Sequence, residues 1–197
     1  MKDIEFWFSL GSTYTYLTVS RIREVQKKNN FNLIFRPFSV RDVMKSMDNI
    51  PFPDSKKSKV DHMWRDIQRR SQIYGLKIPQ VPVPYPIKDL DLANRVALVG
   101  EKEGWCLSYL EITYHLWFIE SNEAGSEENL KKSLSHNNLS YKKILDQANS
   151  KELIREYQSQ TKNAIQQGVF GSPTFIVNGE VFWGDDRLED AIFWSKL

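Results

Sequence analysis

Cysteine is nearly missing from this chain: Cys106 stands alone among 197 residues. A disulfide framework within one chain is therefore impossible, and so is a paired Cys-x-x-Cys redox motif. Cys106 lies far from the motifs at either end and reads as a small buried apolar residue. There is no run of 18 uncharged apolar residues, so no membrane span is expected. Neither sign of charge is in excess, since 27 basic against 25 acidic residues leave a net charge of +2. That balance provides no concentrated basic surface of the kind a general nucleic-acid binder needs. Of the three His, His115 and His136 show no metal-ligand spacing to each other or to Cys106. No glycine-rich phosphate loop, internal repeat or low-complexity tract is present. The opening "MKDIEFWFSLG" is too short and too acidic in its apolar part for a secretory leader, so a cytoplasmic location is expected.

Apolar and aromatic residues are plentiful: 41% hydrophobic, 13% aromatic, with six Trp. A chain of this length can bury a sizeable core as one large domain, or as a small domain carrying an insertion. "FWFSLGSTYTYL" begins as a strand, with Ile4, Phe6 and Phe8 alternating with Glu5, Trp7 and Ser9. It breaks at Gly11 and enters a helix over 13–28, where Tyr14, Leu17, Arg21, Ile22 and Val25 recur at helical spacing and "KKNN" ends the run. A strand, a tight turn and a helix N-terminus together suit an anion. "FNLIFRPF" reads as a second strand. From about 40 to 150 no strand is evident. "VDHMWRDIQRRSQIYG" forms a helical stripe of Val60, Met63, Trp64, Ile67 and Tyr74, stopped by Gly75. "IPQVPVPYP" reads as an extended, packed connector. Four further helices follow at "DLANRVALVGEKEG", "LSYLEITYHLWFIE", "SEENLKKSLSHN" and "SYKKILDQA", the last two opened by Ser N-caps.

The last quarter returns to mixed structure. "KELIREYQSQTKNAIQQG" is a helix ending at Gly168. "PTFIVNGEVFW" is a β-hairpin whose Asn178-Gly179 supplies two positive-φ positions. "DDRLEDAIFW" closes the chain as a helix with Asp186 and Glu189 at capping-box spacing. Without the middle, a βαβ unit followed by ββα remains. The expected fold is therefore α/β: a thioredoxin-like domain, 1–39 and 150–197, with a large all-helical insertion over 40–149.

Two segments carry a family resemblance. "GVFGSPTFIVNGEVFWGDDRLED" resembles the C-terminal signature of 2-hydroxychromene-2-carboxylate isomerases and kappa-class glutathione transferases, in the DsbA-like branch of the thioredoxin superfamily. "FSLGSTYTYL" resembles the N-terminal segment of the same family, usually written Ser-Pro-Tyr-Ser-Tyr-Leu. In "KVDHMWRDIQR", Lys59, Asp66 and Arg69 keep the spacing of that family's first insert helix. Agreement extends more diffusely through "MKSMDNIP", "YHLWFIE" and "TKNAIQQGVFG", and so along nearly the whole chain. The resemblance implies glutathione as cofactor, a small aromatic or electrophilic substrate, and a homodimer.

It also implies roles for particular residues. Ser12 takes the place of the redox cysteine of DsbA and hydrogen-bonds the glutathione sulfur. A free thiol titrates near pH 8.5, and lowering that by about 1.5–2 units requires roughly 2–3 kcal/mol. A hydroxyl donated to a charged acceptor supplies about 1.5–3 kcal/mol, and a helix N-terminus about 0.3–1. From spacing alone, Ser12 also fits plain N-capping of its helix. Pro173 resembles the cis-proline of thioredoxin-like folds, with the Ser172 backbone pairing to the cysteinyl part of glutathione; an ordinary trans proline at a strand start fits the local sequence equally. Asp185 and Asp186 map onto a polar–Asp pair that faces the γ-glutamyl end, where Asp186 would meet the ammonium. Asp185 is a departure in charge from the small polar residue usual there. Asn49 matches an asparagine that helps hold glutathione, and Lys59 would meet the glycyl carboxylate or an acidic substrate. Both also fit solvated loop and helix positions. Lys45 falls beside the lysine that isomerase members use for the substrate carboxylate. Thr13 replaces the usual proline, and His62 stands where many relatives have Tyr.

These features imply a glutathione-dependent isomerase of the 2-hydroxychromene-2-carboxylate type. A kappa-class-like transferase shares every motif, and a non-catalytic thioredoxin-like binding module is a third reading. A thiol oxidoreductase is disfavoured, because no cysteine lies near Gly11.

Overall fold

A computed structural model describes residues 2–49 and 56–197. A four-stranded sheet in the order β2-β1-β3-β4 organises it. β1 (Ile4–Phe8) pairs parallel to β2 (Leu33–Pro37) and antiparallel to β3 (Thr174–Val177), and β3 pairs antiparallel to β4 (Glu180–Trp183). β1 and β2 are joined through α1 (Thr13–Asn29), the crossover that a parallel pair requires. The β3–β4 turn places Asn178 at φ 52° and Gly179 at φ 80°, the two left-handed positions that the sequence predicts.

Both faces of β1 are covered, so the expected in–out alternation is only half right. Ile4, Phe6 and Phe8 enter one buried cluster with Leu17 and Ile22 of α1 and with Leu188, Ala191 and Ile192 near the C-terminus. Trp7 is equally buried on the other face, among Phe38, Val43, Ala164, Val169 and Ile176. A central strand with helices on both sides has no solvent face to mark. Phe6 stacks on Phe175 at 5.4 Å between ring centroids, tying β1 to β3.

Between β2 and β3 the chain is helical: α2 (Val40–Ser46), α3 (Lys57–Ile73), α4 (Leu90–Glu103), α5 (Cys106–Glu120), α6 (Glu127–His136), α7 (Tyr141–Ala148) and α8 (Lys151–Gln166). The sequence does not announce α2, which is short and has one buried residue, Val43. Ser126 and Ser140 cap α6 and α7 as expected, each hydroxyl accepting from the backbone N–H three residues on. The proline-rich connector is packed. Val83 and Ile87 are buried, and the Pro84 carbonyl accepts a 2.7 Å bond from the Trp117 indole. The architecture is thus a thioredoxin-like α/β domain with a helical insertion.

One expectation at the C-terminus fails. Asp185–Arg187 form a single 3₁₀ turn, and α9 (Leu188–Trp194) starts after it. Asp186 and Glu189 form no capping box. The Arg187 guanidinium takes the Asp186 carboxylate at 2.8 Å, and Arg21 takes that of Glu189. Charged partners displace a cap that spacing alone suggests.

Candidate active site

Ser12 sits between β1 and α1 in extended conformation and caps α1, its Oγ accepting weakly from the Thr15 N–H at 3.4 Å. The helix start survives with Thr13 in place of proline, and Thr13 is buried. The Ser12 hydroxyl proton is directed across the site to the Ser172 carbonyl, 2.6 Å away. The Ser172–Pro173 peptide is cis. The Ser172 side chain reciprocates: its Oγ accepts from the Ser9 N–H at 2.8 Å and lies 2.8 Å from Thr15 Oγ1. Two segments 160 residues apart in sequence are thus cross-linked by hydroxyl groups. Among the described residues the Ser172 N–H has no hydrogen-bond partner.

Residues that sequence reading missed hold this turn in place. Asn94 of α4 is fully buried. Its Oδ1 accepts from the Leu10 N–H at 2.8 Å, while its Nδ2 reaches Ser9 Oγ at 3.0 Å and the Phe38 carbonyl at 3.2 Å. Tyr114 of α5 donates toward the carbonyls of Ser9 and Ser12, at 3.3 and 3.1 Å. Burial holds its phenol protonated well past the usual range, which keeps it a donor. A side chain at Gly11 would place its Cβ 2.8 Å from Leu90 Cδ1, so the turn runs hard against the start of α4. The only sequence signal for Asn94 is a polar residue on an otherwise apolar stripe, "LANRVALV".

The two aspartates beyond the hairpin have different surroundings. Asp185 is 2% exposed. Its Oδ1 accepts from Thr18 and from Arg21 Nε, both at 3.1 Å, and its Oδ2 accepts from the Tyr74 hydroxyl at 2.8 Å and Arg70 Nη2 at 3.4 Å. Asp186 is exposed, and the hydrogen bond from Arg187 holds its carboxyl below the usual range. Burial, followed by the Asp185 charge, pushes the Tyr74 hydroxyl up to about 12. Tyr14, two residues past Ser12, donates to Asp66 Oδ2 at 3.1 Å. It too is pushed up to about 12, by burial first and Asp66 second.

The remaining sequence candidates lie at the edge of this arrangement or away from it. Asn49 is exposed in the loop after α2, and its N–H donates to the Met44 carbonyl at 2.9 Å; residues 50–55 that follow lie outside the described residues. Lys59 is exposed on the first turn of α3, as is His62 further along. Arg69 points to solvent, and its neighbour Arg70 is the one turned inward to Asp185. Lys45 pairs with Asp42 at 3.5 Å on α2, which packs on the Trp7 face of the sheet. Among the described residues no hydrogen bond links Lys45 to the Ser12 turn. A separate open crevice of about 330 Å³ lies beside α1 and α5, against Tyr16, Leu76, Glu111 and His115; neither Ser12, Ser172 nor Asp186 lines it.

A polar turn before α1, faced by a cis-proline loop, defines the thioredoxin-like class, here without the thiol pair. The chain belongs to the family described as the DSBA-like thioredoxin domain, whose model matches residues 3–191. It is similar to 2-hydroxychromene-2-carboxylate isomerases: 24% identical over 190 residues to that of Sphingobium xenophagum, covering 95% of each chain. It is also 24% identical to that of Pseudomonas putida, covering 94% of this chain and 90% of the relative. Among solved structures, a 2-hydroxychromene-2-carboxylate isomerase superposes with a TM-score of 0.84 at 22% identity, covering 98% of this chain and 95% of the other.

Proposed function

We propose that this chain is a glutathione-dependent isomerase of the 2-hydroxychromene-2-carboxylate type, with Ser12 stabilising the glutathione thiolate. The observation that carries this reading is the Ser12 hydroxyl, positioned at the start of α1 and directed at the backbone of the cis-proline loop. Full-length similarity to curated isomerases supports the reaction class. The residues present fit a tripeptide thiol. Ser12 offers a donor for sulfur, and the Ser172 N–H is unpartnered among the described residues. Arg70 Nε is buried without a partner, and the Asp66 carboxylate accepts from Tyr14 in the first turn of α1.

When bound, glutathione would supply a thiolate nucleophile for reversible addition to a conjugated carbon of the chromene carboxylate, so that the ring opens and a bond rotates before elimination returns glutathione unchanged with the isomerised benzylidenepyruvate. The protein's part is to lower the cost of that thiolate and to hold its position. Ser12 must turn its proton from the Ser172 carbonyl to sulfur. The gain is therefore the difference between a charge-assisted bond of about 1.5–3 kcal/mol and a neutral one of about 0.5–1.5. The start of α1, 17 residues long, adds about 0.3–1 kcal/mol for a negative charge. Together these lower a thiol pKa by about one to two units from 8.5.

Titrating the ultraviolet absorbance of the bound thiolate tests this. Ser12→Ala is expected to keep glutathione bound and to raise the bound thiol's pKa by about one unit. An unchanged titration would leave Ser12 only the role of helix cap. Absence of glutathione binding by the wild type, measured by calorimetry, would remove the enzyme reading altogether. If conjugates rather than isomerised chromene products accumulate in a substrate screen, the same site serves a transferase.

A further inference from the structure

The substrate class proposed above carries a carboxylate. The sequence candidate for it, Lys45, has a side chain 75% exposed that already meets Asp42. A second cation on α2 is placed differently. β1 and β2 run parallel and end together, Phe8 beside Pro37. Ligands of open α/β sheets sit outside such carboxyl ends. From Phe8 the chain turns through Ser12 into α1; from Pro37 it turns into α2, with Arg41 in the first turn. Asn94 bridges the two exits, through the Leu10 N–H and the Phe38 carbonyl. The stretch before Asn94 touches both as well. Leu90 lies against Gly11, and the Ile87 carbonyl accepts from Arg41 Nη2. Ile87 and Leu90 stand about 10 Å apart at full stretch, so a small aromatic acid can reach from the Arg41 end to the Ser12 end.

Arg41 has donors to spare. It is half-buried, and no carboxylate pairs with it among the described residues. A guanidinium carries five N–H donors on a planar fork. The one contact on Nη2 uses a single donor. It leaves a full edge, Nε with Nη2 or Nη1 with Nη2, as a parallel pair of the kind that fits a carboxylate. A cation drawn partly out of water without a counter-charge carries a cost that an arriving carboxylate offsets. An aromatic ring stands beside it. Tyr85, two residues before Ile87, feels the Arg41 charge at its hydroxyl and is braced edge-on by Trp64 at 5.6 Å between ring centroids.

We infer that Arg41, anchored on the Ile87 carbonyl beside Tyr85, receives the carboxylate of the aromatic acid on which the Ser12 site acts. Arg41 is then the specificity-determining residue, favouring acids over neutral electrophiles of the same shape. Lys45, one turn further along α2, has no part in this. The inference rests on the glutathione reading above and deepens it: it names the group that separates an isomerase of acids from a transferase of neutral acceptors.

Calorimetry on the full chain tests it, with γ-glutamyl-serylglycine filling the thiol site so that no addition takes place. The probes are trans-benzylidenepyruvate and benzylideneacetone, in which a methyl group replaces the carboxylate. The wild type is expected to bind the acid about 10- to 100-fold more tightly, the range of one charge-assisted pair. Arg41→Gln is expected to abolish that preference while affinity for benzylideneacetone stays nearly unchanged. Lys45→Gln is expected to keep it in full. Each preference is a ratio within one variant, so a fold defect, which weakens both probes together, is distinguishable. Arg41→Lys, expected to retain only part of the preference, decides the matter where Arg41→Gln does not fold. Equal binding of the two probes by the wild type overturns the inference, as does failure of the wild type to bind either. A preference undiminished in the Arg41 variants, or lost in Lys45→Gln, overturns it too. Glutathione binding by the wild type, measured alongside, reads the cofactor separately: it persists if this inference alone fails and is absent if the glutathione reading fails.

Discussion

Asn94 illustrates how a single buried residue can hold a turn in place. Its amide bridges the β1–α1 turn, the end of β2 and, through a 3.2 Å contact, the Tyr157 hydroxyl. Asn94→Ala would leave the buried Leu10 N–H without an acceptor, a loss of about 1–3 kcal/mol, and is expected to lower the midpoint of denaturant unfolding and to weaken glutathione binding as the turn relaxes. The opposite pattern, weaker binding with an unchanged midpoint, would make Asn94 part of the ligand surface. Tyr14 and Tyr74 supply a pH dependence. Their folded-state values of about 12 lie above the unfolded value near 10. The unfolded chain therefore releases these protons first, and stability present below pH 10 is lost as pH rises through 10 to 12. In a phenolate difference spectrum Tyr14 and Tyr74 should titrate late together with Tyr85, which burial also pushes up to about 12, and the amplitude of that late step should fall by one tyrosine in Tyr14→Phe. Much of this scale was hidden in the sequence. Ser12 and the Ser172–Pro173 pair were legible because short-range motifs carry them. Arg21 was visible only as a charge on an apolar stripe, and its partner Asp185 lies 164 residues away, beyond any local pattern.

Among the elements, helix and hairpin boundaries followed local chemistry. α1 stops at Asn30 with φ 50°, and the hairpin turns at Asn178-Gly179, because both positions need residues that tolerate left-handed backbone. α2 escaped notice, since seven residues with one buried side chain give no periodicity to read. The false capping box at α9 had the right spacing, but its carboxylates are claimed by arginines. The contact between the β1–α1 turn and α4 allows a direct test. Gly11→Ala would drive a methyl to within 2.8 Å of Leu90 Cδ1, and overpacking of this kind costs about 1–3 kcal/mol. Leu90→Ala alone opens a cavity and is destabilising as well. The double variant is expected to be more stable than the sum of the two losses, as a thermodynamic cycle on unfolding free energies would reveal. Strict additivity would mean that the backbone yields at the turn and the Leu90 side chain does not resist.

At the scale of the whole molecule, the insertion and the sheet share their interior. Leu90, Ala93 and Tyr114 from the inserted helices lie in the same buried cluster as Phe6, Phe8 and Phe175 from the strands. Calorimetric and spectroscopic unfolding should therefore coincide in one transition. Separate transitions for the helical segment and the sheet would show that this interface is weaker than its burial implies. The fold class was legible from the order of elements and the two terminal motifs. The single interior was not, because hydrophobic periodicity marks which face of a helix is covered and says nothing about what covers it.

The bond from Ser12 to the Ser172 carbonyl spans 160 residues. On a ribosome, Ser12 is made 160 residues before its partner exists. No product cut short between the two can make this bond, and so none can present the proposed thiol site, whatever helices it has already formed. On the proposed reading, a chain broken off before residue 172 would bind no glutathione and would not be a half-active enzyme.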